Sequence, residues 1–130
     1  MNRKVIPHGN APGAPVGAAL VMAAGLAWVN GVLPVDVENP SKALAESVEE
    51  QSRHIMRNLD QLLSAQGLAR HQVVAVTVHL RQMNRFGARF EKVYAGFFEA
   101  PHIPTRSLVG VSELPREALV AMDFVVHVGP

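Results

Sequence analysis

The sequence predicts an α+β chain in which two helices pack on one face of a mixed β-sheet. Three observations point to this class. Short apolar segments rich in Val recur at 16–22, 26–32, 72–80, 106–111 and 119–128, the composition that suits a pleated, buried surface. Two other segments space their apolar residues at three and four, the period of a helix packed on one side. The breaks between elements are short and carry Pro, Gly and Asn, so sequential elements lie side by side. The resulting order is strand, strand, helix, strand, helix, strand, strand.

Residues 1–15 are rich in Pro and Gly and are expected to be extended. Residues 16–22 and 26–32 read as a hairpin turning at Ala24-Gly25. A signal peptide is the alternative there, because Asn2, Arg3 and Lys4 precede the apolar run. Pro7, Pro12 and Pro15 separate those charges from it and favour the hairpin. Residues 34–40 form a connection. Asn39-Pro40 reads as a helix start, since Asn can cap free N–H groups and Pro suits the first helical position. The helix should run to about Gln66 on Leu44, Val48, Ile55, Leu59, Leu62 and Leu63, with Gly67 as its left-handed cap. Residues 72–80 read as a strand. Asn84 is a plausible cap for a second helix whose stripe is Phe86, Phe90, Val93 and Phe97, a core stripe rather than a cofactor box. Pro101 and Pro104 end that region, and two strands close the chain.

Strand alternation places Val73 and Ala75 opposite Val74, Val76 and Val78, and Ala121 and Val125 opposite Met122, Phe124 and Val126. Both faces are therefore apolar, yet two helices cover only one. The other needs a partner, and a second subunit is the simplest cover. The 130 residues fit one domain over 1–130. Apolar residues make up 48% and charged ones 18%, which is a globular balance. With 12 Lys and Arg against 11 Asp and Glu, there is no basic excess of the kind nucleic-acid binders show. No segment has the run of apolar residues needed to span a bilayer. The absence of cysteine removes disulfides, a thiolate nucleophile and Cys-ligated zinc, and suits a cytoplasmic location.

Two residues stand out chemically. Arg106 lies at the start of a strand, where its planar fork could hold a carboxylate; an ordinary surface arginine is the plain alternative. Asp123 interrupts an apolar strand, so it must be paired, hydrogen-bonded or protonated. It is a candidate to hold or activate water, with a structural ion pair or an outward edge position as alternatives. His8, His54, His71, His79, His102 and His127 show no metal-ligand spacing, so no metal is expected. Ser107 lacks a nucleophile-elbow context, there is no Gly-rich phosphate loop, and Tyr94 reads as packing.

Several motifs, in order, resemble the RidA/YjgF family. They are Asn30-Gly31-Val32-Leu33-Pro34, then Glu50-Gln51-Ser52 through Asn58-Leu59, then Val76-Thr77-Val78-His79-Leu80 with Tyr94-Ala95-Gly96-Phe97-Phe98. Pro104-Thr105-Arg106-Ser107, Leu114-Pro115 and Val120-Ala121-Met122-Asp123 complete the series. The match covers nearly the whole chain from about Val16. The resemblance implies a chorismate-mutase-like fold and a homotrimer with a cleft at each subunit interface. It implies hydrolysis of reactive enamines or imines to a 2-keto acid and ammonia, with no cofactor. Arg106 matches the family arginine that holds the substrate carboxylate. Asp123 matches the glutamate that positions water, and Gly31 a glycine beside the ligand.

This chain departs from the family at four of the site positions. Gly17 stands where the family has Tyr, Asn30 where it has Ser, and Leu108 where it has Cys or Thr. Asp123 is one methylene shorter than Glu, a loss of about 1.5 Å of reach. These changes keep two other expectations open: a carboxylate-binding or sensing trimer without turnover, and a hydrolase or deaminase of a larger substrate. The label of nuclease or translation inhibitor, often given to the family, fits the near-neutral charge poorly.

Overall fold

The computed structural model describes residues 2–9 and 16–129; residues 10–15 of the stretch expected to be extended lie outside the described residues. Strands β1 (Lys4–Pro7), β2 (Ala18–Ala23) and β3 (Leu26–Val32) come first, then helix α1 (Val48–Ala65). Strand β4 (Val73–Arg81), helix α2 (Met83–Tyr94), β5 (Thr105–Val111) and β6 (Val120–His127) follow. One six-stranded sheet has the order β1-β2-β3-β6-β4-β5. Every neighbouring pair is antiparallel except β4 and β5, which run parallel with α2 as their crossover. The mixed sheet and two helices match the fold class expected from the sequence.

The β2–β3 hairpin turns where the sequence places it. Ala24 and Gly25 both have positive φ, 54° and 78°, as a two-residue turn matched to strand twist requires. The segment that could have been a signal peptide is thus a strand pair. Part of the N-terminal stretch, read only as extended, adds a strand: Lys4 to Pro7 pairs along β2 at the sheet edge. Pro7 ends it, a position where proline's missing N–H costs no ladder bond.

The first helix begins later than Asn39-Pro40 suggests. Its N-cap is Ser47, whose hydroxyl accepts the Glu50 N–H at 3.1 Å. The earlier segment is held as turns instead. Asp36 accepts the N–H groups of Glu38 and Asn39 at 3.0 and 3.2 Å. Arg116 reaches across to donate to the carbonyls of Pro40 and Lys42. At the other end Gly67 has φ 71°, with Gly67 N–H on Ser64 O and Leu68 N–H on Leu63 O, the expected left-handed cap. The cap of α2 is Gln82, at φ 48°, rather than Asn84, which lies inside the helix.

Both helices lie against one face. Fully buried Leu20, Val29, Val78, Leu80, Met122, Phe124 and Val126 from the strands meet Ile55, Leu59, Leu63 and Phe90 from the helices in one core. The alternation expected for β6 holds, but β4 breaks its own. An irregularity between Val73 and Ala75 puts Val73 in the core with Val76 and leaves Val74 exposed. The face away from the helices carries a cross-strand row of Val21, Trp28, Val125 and Ala75, each half-buried. Among the described residues no helix covers this row, and none is long and apolar enough to cross a membrane.

Ser47→Ala should cost about 1 kcal/mol in a urea titration, whereas Asn39→Ala should leave α1 intact by circular dichroism. Burial lowers the pKa of His54 from 6.5, helped by the nearby Arg57 charge, and burial likewise lowers His8. The unfolded chain therefore binds protons below pH 6.5 that the folded chain resists. Stability should be full above that pH and fall as the pH drops toward the folded values. His54→Gln should flatten the decline between pH 7 and 5; an unchanged decline would remove His54 from this role.

Candidate functional site

Strand β5 forms one edge of the sheet, and Arg106 is its second residue. Its register partner on β4 is Val76, a core residue, so Arg106 faces the helices. There α2 runs alongside. The guanidinium carbon sits 4.8 Å from the centre of the Tyr94 ring, within cation–π range. Glu91 lies three residues before Tyr94, on the same side of α2. Both of its oxygens accept from Arg106: Oε1 from Nη1, and Oε2 from Nη2 at 2.8 Å. This is the two-point fork that suits a carboxylate. The hydrogen bonds from Arg106, with its charge behind them, hold the Glu91 carboxyl below its ordinary range, and the same bonds raise Arg106 further. Burial pushes the Tyr94 phenol up, against the opposing pull of Arg106. The Tyr94 hydroxyl is buried without a hydrogen-bond partner. Side-chain exposure is 25% for Arg106 and 47% for Glu91, so water screens the pair and it contributes no more than about 1 kcal/mol.

Asp123 occupies a different place. It pairs with Thr77 on the face away from the helices. Across the β3–β6 ladder, Val29 pairs with Phe124 and Val32 with Met122. Asn30 and Gly31 therefore oppose Asp123 alone, which makes a β-bulge. Gly31 adopts φ 64°, a conformation that favours glycine. Its N–H donates to Asp123 Oδ1 at 2.7 Å. A carboxylate within an apolar strand is thus satisfied by a backbone donor.

Asn30 and Gly31 also line an apolar pocket of about 300 Å³ between β3, the following loop and α1, walled by Leu33, Val35, Leu62 and Ala65. Gly17 is exposed at the start of β2 with φ 101°, and nothing lies within 4 Å of where a side chain would begin. Leu108 shares the helix-facing side of β5 with Arg106, pairs with Val78 and packs against the core.

One chain therefore brings Asn30, Gly31 and Asp123 together and holds Arg106 apart. β6 and β4 lie between β3 and β5, three strand spacings or about 14 Å. Arg106 and Asp123 also face opposite sides of the sheet. Glu91 and Tyr94 are the residues that sequence reasoning missed as neighbours of Arg106. Their three-residue spacing on an amphipathic helix was the available signal for each other, but nothing in it pointed to β5. His71 and His102 rings lie 5.3 Å apart, and among the described residues no cluster of three or more His, Asp or Glu could hold a metal.

A family model described as endoribonuclease L-PSP matches residues 11–128. A RutC family protein of Pyrococcus horikoshii is 30% identical over 127 residues, covering 96% of this chain and 98% of that one. The chloroplastic Reactive Intermediate Deaminase A of Arabidopsis thaliana is 30% identical over 127 residues, covering 96% of this chain and 66% of its own. The crystal structure of a Rid family protein of unknown function from Yersinia pestis superposes with a TM-score of 0.84. It is 27% identical, with 97% of this chain and 99% of that chain covered.

The Asp123–Gly31 bond predicts a stability effect separate from any chemistry. Asp123→Ala removes the partner of the exposed Gly31 N–H and should cost about 0.5–1.5 kcal/mol in urea unfolding. Gly31→Ala has open space but places a side chain at positive φ, and should cost about 1–2 kcal/mol. An Asp123→Ala protein as stable as wild type would show that the bond does not hold the bulge.

Proposed function

The chain belongs to the RidA/YjgF family, and on that premise we propose that it hydrolyses a reactive 2-imino or enamine acid to a 2-keto acid and ammonia. The observation that carries the reading is the Arg106 fork, which already grips a carboxylate at two points over an aromatic ring. The substrate carboxylate would take that place, fixing the imine carbon beside it. Water attacks this carbon as its oxygen forms the new C–O bond, and Asp123 accepts the water's proton. Asp123 passes that proton to the nitrogen. As the C–N bond breaks, the new hydroxyl gives up its own proton to form the C=O bond, and the nitrogen leaves as ammonia carrying both protons of the water. An enamine first moves a proton from nitrogen to its terminal carbon to become the imine. Backbone at Gly31 can approach the ligand closely because no side chain stands there.

The assembly in this proposal is a homotrimer of single-domain chains with the site in each interface. Two facts support it. Among the described residues no helix covers the row through Trp28, and a substrate of three or four carbons cannot touch both Arg106 and Asp123 of one sheet. A neighbouring copy would supply one of them. Binding without turnover is the second reading, favoured by the commitment of Asp123 Oδ1 to the backbone. Nucleic acid is a poor ligand for a chain of net charge +1, and any such binding would weaken steeply with salt.

Turnover is tested by generating 2-aminoacrylate from serine with a dehydratase and following keto-acid release. Wild type should accelerate it, and Arg106→Ala and Asp123→Ala should each lose at least about tenfold. Mixed trimers of those two variants should recover about a quarter of the sites, because some interfaces then pair an intact arginine with an intact aspartate. No acceleration of any imine by assembled wild type would leave carboxylate binding as the function. Loss in both variants with no recovery on mixing would place the two residues in one subunit's site.

A further inference from the structure

The partner already in the Arg106 fork bears on what else can enter it. Glu91 uses both oxygens and both terminal nitrogens of the guanidinium. A simple carboxylate anion arriving there must either displace Glu91 into water or share one cation with it. Displacement gives up the two Arg106–Glu91 hydrogen bonds, and sharing leaves two negative charges against one positive, where like charges held close are unfavourable. A ligand with a protonated nitrogen next to its carboxylate changes the balance. Its carboxylate can take Arg106 while its nitrogen takes Glu91, so each charge has an opposite neighbour. The existing pair is loose enough for this exchange, since nearly half of the Glu91 side chain is exposed at 47%. Tyr94, meanwhile, keeps the guanidinium in place through its ring.

We propose that Glu91 is a specificity-determining residue of the Arg106 site, rejecting plain carboxylates and admitting those that carry a cationic nitrogen beside the carboxylate. This rests on the reading of Arg106 as the carboxylate clamp. It also gives the reaction a direction. Hydrolysis removes the nitrogen, so the keto-acid product has lost the group that Glu91 holds. Glu91 then returns to Arg106 and the product is expelled.

The test compares pyruvate and L-alanine, which share a three-carbon skeleton and differ in the nitrogen. Dissociation constants are measured by NMR titration for wild type, Glu91→Gln and Arg106→Ala, with folding checked by circular dichroism. Wild type should prefer alanine. Glu91→Gln keeps the shape but not the charge, and should shift the ratio of the two constants toward pyruvate by about tenfold. Arg106→Ala should weaken both ligands. An unchanged ratio in Glu91→Gln, with binding still lost in Arg106→Ala, overturns selection by Glu91 and leaves the clamp standing. Binding that ignores Arg106→Ala, or that is absent throughout, overturns the clamp and with it this inference.

Discussion

Successive residues of a strand face opposite sides of a sheet, and in this chain that alternation sends Arg106 toward the helices and Asp123 away from them. The register leaves no freedom. Arg106 lies beside Val76, and Asp123 beside Thr77, the next residue of the same strand. A one-residue slip of β6 would bring Asp123 to the side of Arg106, but it would also carry Phe124 and Val126 out of the core. The packing that fixes the fold therefore fixes the separation of the two most chemically distinctive residues. A small ligand that meets both must lie between chains.

Polar side chains do much of the positioning that the core cannot. Gln51 is buried on α1, donating to Ala45 O and accepting the Leu119 N–H, each at 2.8 Å. It thereby joins the loop before the helix to the approach of β6. Asn58, two turns on, donates to the carbonyls of Leu33 and Val35 at 3.0 and 2.9 Å. These bonds hold the connection after the Gly31 bulge against the helix. The Asp123–Gly31 bond fixes the bulge from the other side. The Gly31 backbone is set by contacts from two elements far away in sequence.

The parts of this arrangement that depend on local pattern were legible in the sequence. The hairpin turn at Ala24-Gly25, the Gly67 cap and the strands that end the chain all follow from residues near each other. What depends on distant contacts was not. Asn39-Pro40 looks like a helix start, but Arg116 holds the carbonyls of Pro40 and Lys42, and the helix waits for Ser47. The irregularity in β4 reverses the facing of Val73 because of its pairing with β6, which no local pattern records. Asp123 was singled out correctly as a carboxylate needing a partner, yet that partner is 92 residues away. Arg106 could be read as a carboxylate holder or as an ordinary surface arginine, and its partner Glu91 was not legible, because α2 and β5 meet only in the folded protein.

The core between sheet and helices is closed within a single chain, with Phe90, Phe124, Leu59 and Leu80 fully buried there, whereas the row through Trp28 is half-buried and has no helix over it among the described residues. The two faces therefore do different work in a single copy. Substitutions beneath the helices act on the folding of each copy, while substitutions in the row through Trp28 act mainly on the surface that the copy presents. The surface a copy presents can thus be altered without dismantling the layer that folds it.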